Sequence, residues 1–270
     1  MTTNTMTLLE LAGTDLGEHT VTYQDRDAIL YALSVGAAAT DLGLVYERDL
    51  RTLPTYACAL GLWAVEAAGR LGAYDPTRSL HVSQQLVMHQ DLPPSGEIEM
   101  QARIGSVWDK GKAALVEVEV TSSIFTARYG IFLPGMGGFG GERGPSAAAA
   151  DPIELDHHST FATDSDLAAL YRLTGDRHPL HIDPEVASNN GFERPILHGL
   201  CTLGIAARTL AGQLGFHPAD LTRLEARLAA PVLPGDVLEI VSGRAEDGIR
   251  FEVQSADTVA IKAGLADFGR

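Results

Sequence analysis

The chain repeats itself. Ala28-Ile29-Leu30-Tyr31-Ala32-Leu33-Ser34 aligns with Ala168-Ala169-Leu170-Tyr171-Arg172-Leu173-Thr174 at an offset of 140 (171 − 31). Pro94-Ser95-Gly96-Glu97-Ile98-Glu99 aligns with Pro234-Gly235-Asp236-Val237-Leu238-Glu239 at the same offset, and Cys58-Ala59-Leu60-Gly61 with Cys201-Thr202-Leu203-Gly204 at 143 (201 − 58). Each match is short. Three in the same order, at nearly one offset, point to a unit of about 130 residues used twice. The Gly-, Ala- and Pro-rich segment between them reads as a linker, so the expected organisation is a first half at 1–134, a linker at 135–151 and a second half at 152–270.

Both halves carry the same order of elements. A short helix holds the Tyr-x-Leu motif, a longer apolar helix follows near 56–71 and again near 198–213, and a run of strands closes each half. In the first half the strands are expected near 80–90, 97–108, 113–122 and 124–133, with alternation clearest in Ala114-Leu115-Val116-Glu117-Val118-Glu119-Val120. In the second they fall near 222–230, 236–244, 248–255 and 258–266. A helix followed by consecutive antiparallel strands is an α+β pattern, not the alternation of a parallel sheet. Leu200, Leu203, Ile205, Ala206 and Leu210 make the second long helix apolar on most sides, so a sheet should wrap it. That is a hot-dog arrangement, here in tandem.

Charge narrows the partners. Lys and Arg number 20 against 35 Asp and Glu, a formal net charge of −15, which repels both a nucleic-acid backbone and an anionic membrane surface. No basic segment followed by an apolar run opens the chain, and no run of 18 apolar residues occurs in it, so a cytoplasmic location is expected. Cys58 and Cys201 lie in apolar surroundings with no metal spacing or redox partner, and read as buried hydrophobes.

The polar residues of interest lie in Tyr171-Arg172-Leu173-Thr174-Gly175-Asp176-Arg177-His178-Pro179-Leu180-His181-Ile182-Asp183-Pro184. Pro179 between Asp176 and His181 places the two on a loop. Asp183-Pro184 reads as an N-cap with proline at the first helical position, and Gly191 as the end of that helix, so the loop is fixed. A carboxylate and an imidazole on such a loop can hold one water between them, one group taking a proton while the other orients or returns it. Spacing alone also allows a plainer reading, in which Asp176 caps a turn and His181 is a satisfied core histidine. Further on, a helix beginning near His198 would aim the free backbone N–H of Gly199 into a groove, where it could polarise a carbonyl oxygen; Gly199 could equally relieve packing of helix on sheet.

The run Tyr171 to Asp183 resembles the signature of the MaoC-like, type 2 (R)-specific enoyl-CoA hydratases, and Gly191-Phe192-Glu193-Arg194-Pro195-Ile196-Leu197-His198-Gly199-Leu200 resembles its continuation. Tyr23-Gln24-Asp25-Arg26-Asp27, Leu53-Pro54-Thr55-Tyr56 and Gly137-Gly138-Phe139-Gly140-Gly141 are similar to the non-catalytic half of the double hot-dog members. The resemblance implies hydration of a trans-2-enoyl-CoA to a (3R)-3-hydroxyacyl-CoA, or the reverse dehydration. It makes Asp176 and His181 the dyad that activates water and Gly199 the oxyanion-hole donor. It calls for no cofactor beyond the CoA of the substrate and no metal. At the positions matching the dyad the first half has only Gly36-Ala37 and Asp41-Leu42-Gly43, so one site per chain is expected, with the first half accommodating the acyl chain. One departure stands out. The family commonly has Asn two residues after the catalytic Asp, and this chain has His178, which as neutral imidazole donates one N–H but is bulkier and titratable. Lys110 and Lys112, in a Lys-Gly-Lys turn, and Arg194 are candidate contacts for CoA phosphates, and a homodimer is expected. Acyl-CoA thioester hydrolysis and acyl-CoA binding without catalysis are the alternatives.

Two signals point elsewhere and are set aside. Gly135-Met136-Gly137-Gly138-Phe139-Gly140 matches a dinucleotide-binding pattern, but Glu142-Arg143-Gly144-Pro145 stands where a helix would have to begin. His157-His158 reads as a surface pair before a helix start. No G-x-S-x-G, H-E-x-x-H or C-x-x-C motif is present.

Overall fold

The computed structural model describes residues 6–145 and 155–269, so 146–151 of the expected linker lies outside the described residues. Ten strands form one antiparallel sheet: β1 (Asp15–Tyr23), β2 (Leu80–Met88), β3 (Gly96–Asp109), β4 (Ala113–Thr121), β5 (Phe125–Pro134), β6 (His157–Ala162), β7 (Leu221–Leu228), β8 (Val237–Ala245), β9 (Gly248–Ser255) and β10 (Thr258–Phe268). Their order is β1-β3-β4-β5-β2-β7-β10-β9-β8-β6. Read from the centre outward the two sides are the same, β2-β5-β4-β3-β1 against β7-β10-β9-β8-β6. The repeated sequence is thus a repeated topology, and the sheets of the two halves fuse where β2 pairs with β7, Gln84 opposite Ala226 and Leu86 opposite Leu224.

Eight of the ten strands lie within two residues of where alternation places them. The other two, β1 and β6, are corrections. β1 has a single buried residue, Tyr23, and β6 alternates half-buried with exposed positions. Neither carries the apolar run that marks a strand, because each is an outer strand whose only sheet neighbour is on one side. His157-His158, read as preceding a helix, instead opens β6 and faces Ser242 and Val241 of β8.

Each half wraps a helix. The second-half helix, Gly199–Leu214, buries ten residues including Leu200, Leu203, Ile205, Ala206 and Leu210, and ends at Gly215 in the left-handed conformation (φ 79°) that a C-terminal glycine supplies without steric cost. Its first-half counterpart is not continuous. Tyr56–Leu60 stops and Trp63–Arg70 resumes. The buried Tyr129 hydroxyl donates to the Cys58 carbonyl at 2.8 Å, and the chain tightens there, with Leu62 N–H bonded to Ala59 rather than to Cys58.

The halves meet through side chains as well as strands. Arg51 bonds Asp220 at 2.8 Å, Tyr31 packs on Tyr171 with ring centroids 6.0 Å apart, and the Cys201 thiol lies 3.3 Å from the Ser34 carbonyl. Both cysteines are buried, and burial raises their thiols, Cys58 to about 12, which removes them as nucleophiles.

Candidate active site

The loop from Asp176 to Asp183 is held much as its sequence requires. The Asp183 carboxylate caps the helix Pro184–Asn189, accepting from Glu185 N–H at 2.8 Å and Val186 N–H at 3.4 Å. Asp176 Oδ1 accepts from the His178 N–H at 3.1 Å, and His178 Nδ1 accepts from the Leu180 N–H at 3.3 Å. Pro179–His181 forms one 3₁₀ turn, which brings His181 back beside Asp176.

Two ring nitrogens are fixed by carbonyls, and a carbonyl only accepts. His181 Nδ1 lies 2.9 Å from Ile196 O, so Nδ1 carries the proton and Nε2 is left bare as an acceptor. His198 Nε2 lies 3.1 Å from Asp176 O, so its Nε2 carries the proton and Nδ1 is bare. That Nδ1 is buried without a hydrogen-bond partner among the described residues. Burial, opposed by the Asp176 charge, holds the His181 pKa below the ordinary histidine value. His198 is pushed down to about 3, by burial first and by His181 second.

One carboxylate oxygen of Asp176 and one ring nitrogen each of His181 and His198 lie within 4.8 Å of one another. Asp176 and His181 share no direct hydrogen bond among the described residues, and a spacing of this order suits a water bonded to both. The same three residue types could suggest a metal centre. The rings of His181 and His198 are stacked, however, with centroids 3.7 Å apart and planes 26° apart, so their nitrogen lone pairs run side by side instead of converging on one ion.

Asp176, His178, His181 and Gly199 line one cavity of about 480 Å³. Its remaining wall is mostly apolar and comes from both halves: Leu62, Val65, Leu80, Val82 and Ile131 from the first, Leu180, Phe192, Leu200, Leu228 and Val232 from the second. Gly199 is the first residue of its helix, whose leading amides lack intrahelical partners; the His198 side chain does not cap them, being engaged with Asp176. A Cβ on Gly199 would meet the Leu228 side-chain end at 2.6 Å, so a larger residue would displace Leu228; with glycine, the backbone is what the cavity meets.

Sequence reasoning missed two lining residues, His81 and Arg177, and a third residue, His198, that packs behind the pair. His198 could have been found as the N-cap immediately before Gly199. His81 is aimed inward by a register shift between His81 and Ser83 in the β2–β5 ladder, a bulge that alternation does not reveal. Burial lowers its pKa while the Asp176 charge opposes that. Arg177, an exposed cation, stands at the rim. The candidate CoA contacts Lys110, Lys112 and Arg194 lie outside the cavity lining. Lys110 flanks the β3–β4 turn at Gly111, and its ammonium donates to the Arg143 carbonyl at 2.6 Å.

The glycine-rich segment has an internal occupant. The Asp109 carboxylate accepts from the N–H groups of Gly111 (2.8 Å), Gly138 (2.9 Å) and Gly140 (3.0 Å), which folds the segment back on the β3–β4 turn. In the first half, the position matching Asp176 is Gly36, packed against the Phe161 ring, with Arg208 donating to Val35 O at 3.0 Å beside it. Asp41, matching His181, accepts from the Ala38 N–H at 2.9 Å.

Comparison with known proteins agrees with this architecture. Residues 148–263 match the MaoC like domain and residues 21–132 the MFE-2 hydratase 2 N-terminal domain. The chain is 38% identical over 265 residues to 3-hydroxyacyl-thioester dehydratase Y of Mycobacterium tuberculosis, covering 91% of each. It is 36% identical to peroxisomal multifunctional enzyme type 2 of mouse, of which it spans 36%. A MaoC-like dehydratase from Phytophthora capsici superposes with a TM-score of 0.84 at 26% identity, over 96% of both chains. The chain therefore belongs to the MaoC-like double hot-dog hydratases and dehydratases. Among the described residues no helix is long and apolar enough to cross a membrane.

Proposed function

We propose that this protein is a hydratase/dehydratase that interconverts trans-2-enoyl-CoA and (3R)-3-hydroxyacyl-CoA. The observation that carries the reading is that the Asp176 carboxylate and the His181 ring, whose Nε2 is bare, lie close together in one cavity lining with Gly199, the first residue of its helix. The water held by the pair would add its oxygen to C3 as His181 Nε2 takes a proton. The Gly199 N–H, at the positive end of the helix, would donate to the thioester oxygen and stabilise the charge developing there. Return of a proton to C2 on the same face completes a syn addition, with one water consumed and no cofactor used. His178 would offer its Nε2–H to the substrate in place of an amide.

The apolar wall drawn from both halves supports an acyl chain reaching into the first half. Turnover compared across short, long and sterol-like enoyl-CoAs tests this; activity confined to the four-carbon substrate would contradict it. For the CoA phosphates, Arg177 at the rim is the inner candidate, with Lys110, Lys112 and Arg194 further out. Charge-removing substitutions that raise KM identify which of them serve. A homodimer in the cytoplasm completes the proposal; scattering mass and cell fractionation test its two parts.

A further inference from the structure

His198 touches both members of the pair just described. Its Nε2–H is bonded to the backbone carbonyl of Asp176 at 3.1 Å, and its ring lies flat against His181 at 3.7 Å between centroids. On its other side it packs on Tyr171, ring centroids 4.8 Å apart. It is 1% exposed and stands directly before the helix that presents Gly199. A serine, threonine or aspartate would cap that helix better, and the imidazole does not cap it at all. The residue instead keeps a buried nitrogen, Nδ1, without a hydrogen-bond partner among the described residues, a cost that packing alone does not explain, since an aromatic hydrocarbon ring would fill the same space without it.

We propose that His198 is a positioning residue for the hydration reaction: its N–H pins the backbone of Asp176 while its ring face fixes the plane of His181, setting the separation across which the two groups share a water. This rests on reading Asp176 and His181 as the dyad. The role requires a neutral ring. A protonated His198 would place a second cation against His181 and oppose its taking a proton, and the depressed pKa of His198 keeps it neutral throughout the working range. The titratable and charged groups facing this ladder are few: Asp176 and His178 from the loop, Arg172 behind His198, and His81 from β2 toward Asp176.

The test separates the two contacts. His198→Phe keeps a ring against His181 and Tyr171 but removes the N–H to Asp176. It should lower kcat by about 10- to 100-fold with KM nearly unchanged, the size of effect that misplacing a reacting group produces. With Asp176 no longer pinned, its charge supports protonated His181 less while the phenyl ring keeps His181 buried, so the acid limb of kcat/KM should move further below the ordinary histidine value. Mere loss of packing would reduce the amount of folded enzyme and leave the limb where it was. His198→Gln, which retains an N–H donor, should recover part of kcat. Folded His198→Phe enzyme with unchanged kcat and an unchanged acid limb overturns the proposal. Should neither variant fold, nitrogen-15 spectra of the wild-type histidines decide: His198 is expected as the neutral Nε2–H tautomer down to about pH 5, and an Nδ1–H tautomer or titration above that overturns it. If Asp176→Asn and His181→Ala retain turnover, the dyad reading has failed and this proposal with it. If those two abolish turnover and His198→Phe does not alter it, only the present proposal fails.

Discussion

The backbone N–H of Leu180 is bonded to Nδ1 of His178 at 3.3 Å. That bond chooses the tautomer. With Nδ1 accepting, the neutral ring carries its proton on Nε2, so His178 reproduces what an asparagine would do there, accepting through one atom and donating through another. The ring stands near the substrate side of the pair, its centroid 6.2 Å from that of His181. His178→Asn is therefore expected to keep turnover. His178→Ala should cost about 10²–10³-fold if the donor reaches the oxyanion. An unchanged rate in His178→Ala would show that the ring faces away from the substrate. The kcat of the three proteins, compared at one pH, is the measurement.

A second outcome concerns His181 itself. It must be neutral to take a proton, and burial holds its pKa below 6.5. The acid limb of kcat/KM, which reports the free enzyme, should have its midpoint below 6.5. A midpoint above that value would mean that the Asp176 charge outweighs burial, or that another group is the base.

The same buried rings make stability depend on pH. His81, His181 and His198 are all depressed in the folded protein, and His198 to about 3. Below 6.5 the unfolded chain takes up protons that the folded chain refuses, so stability present above 6.5 is lost as pH falls. For His198 the loss continues toward pH 3, at up to about 1.4 kcal/mol per pH unit. Urea unfolding at pH 7 and pH 5 should show the decline, and His198→Phe should flatten it. A His198→Phe slope equal to that of the wild type would contradict this.

Asp109 gives a structural counterpart. Its carboxylate gathers the amides of Gly111, Gly138 and Gly140, and this holds its own pKa below the usual carboxylate range. Asp109→Ala should leave the segment 135–145 open to limited proteolysis while changing kcat little. If instead kcat collapses in folded protein, the segment takes part in the site.

The duplication and the dyad loop were legible because both are local. Tyr31 and Tyr171 mark the repeat by spacing, and Asp176, Pro179, His181 and Asp183-Pro184 define a short, capped loop whose chemistry is written in adjacent residues. What stayed hidden depends on distant partners. β1 and β6 become strands only because β3 and β8 lie beside them. The break in the first-half helix comes from the hydroxyl of Tyr129, 71 residues beyond Cys58. His81 reaches the cavity through a bulge, and the role of Asp109 in folding the glycine-rich segment needs the turn at Gly111 to bring it close. Patterns of period two or 3.6 carry none of this information.

The most direct test of the account is hydration itself. Purified protein mixed with crotonyl-CoA and with longer trans-2-enoyl-CoAs should remove the enoyl-thioester absorbance and yield the (3R)-3-hydroxyacyl product by chiral analysis. Asp176→Asn and His181→Ala should each lower kcat by about 10²–10⁴-fold with the fold intact. Folded wild-type protein that turns over no enoyl-CoA of any length, or that steadily releases free CoA thiol from saturated acyl-CoA, would contradict it.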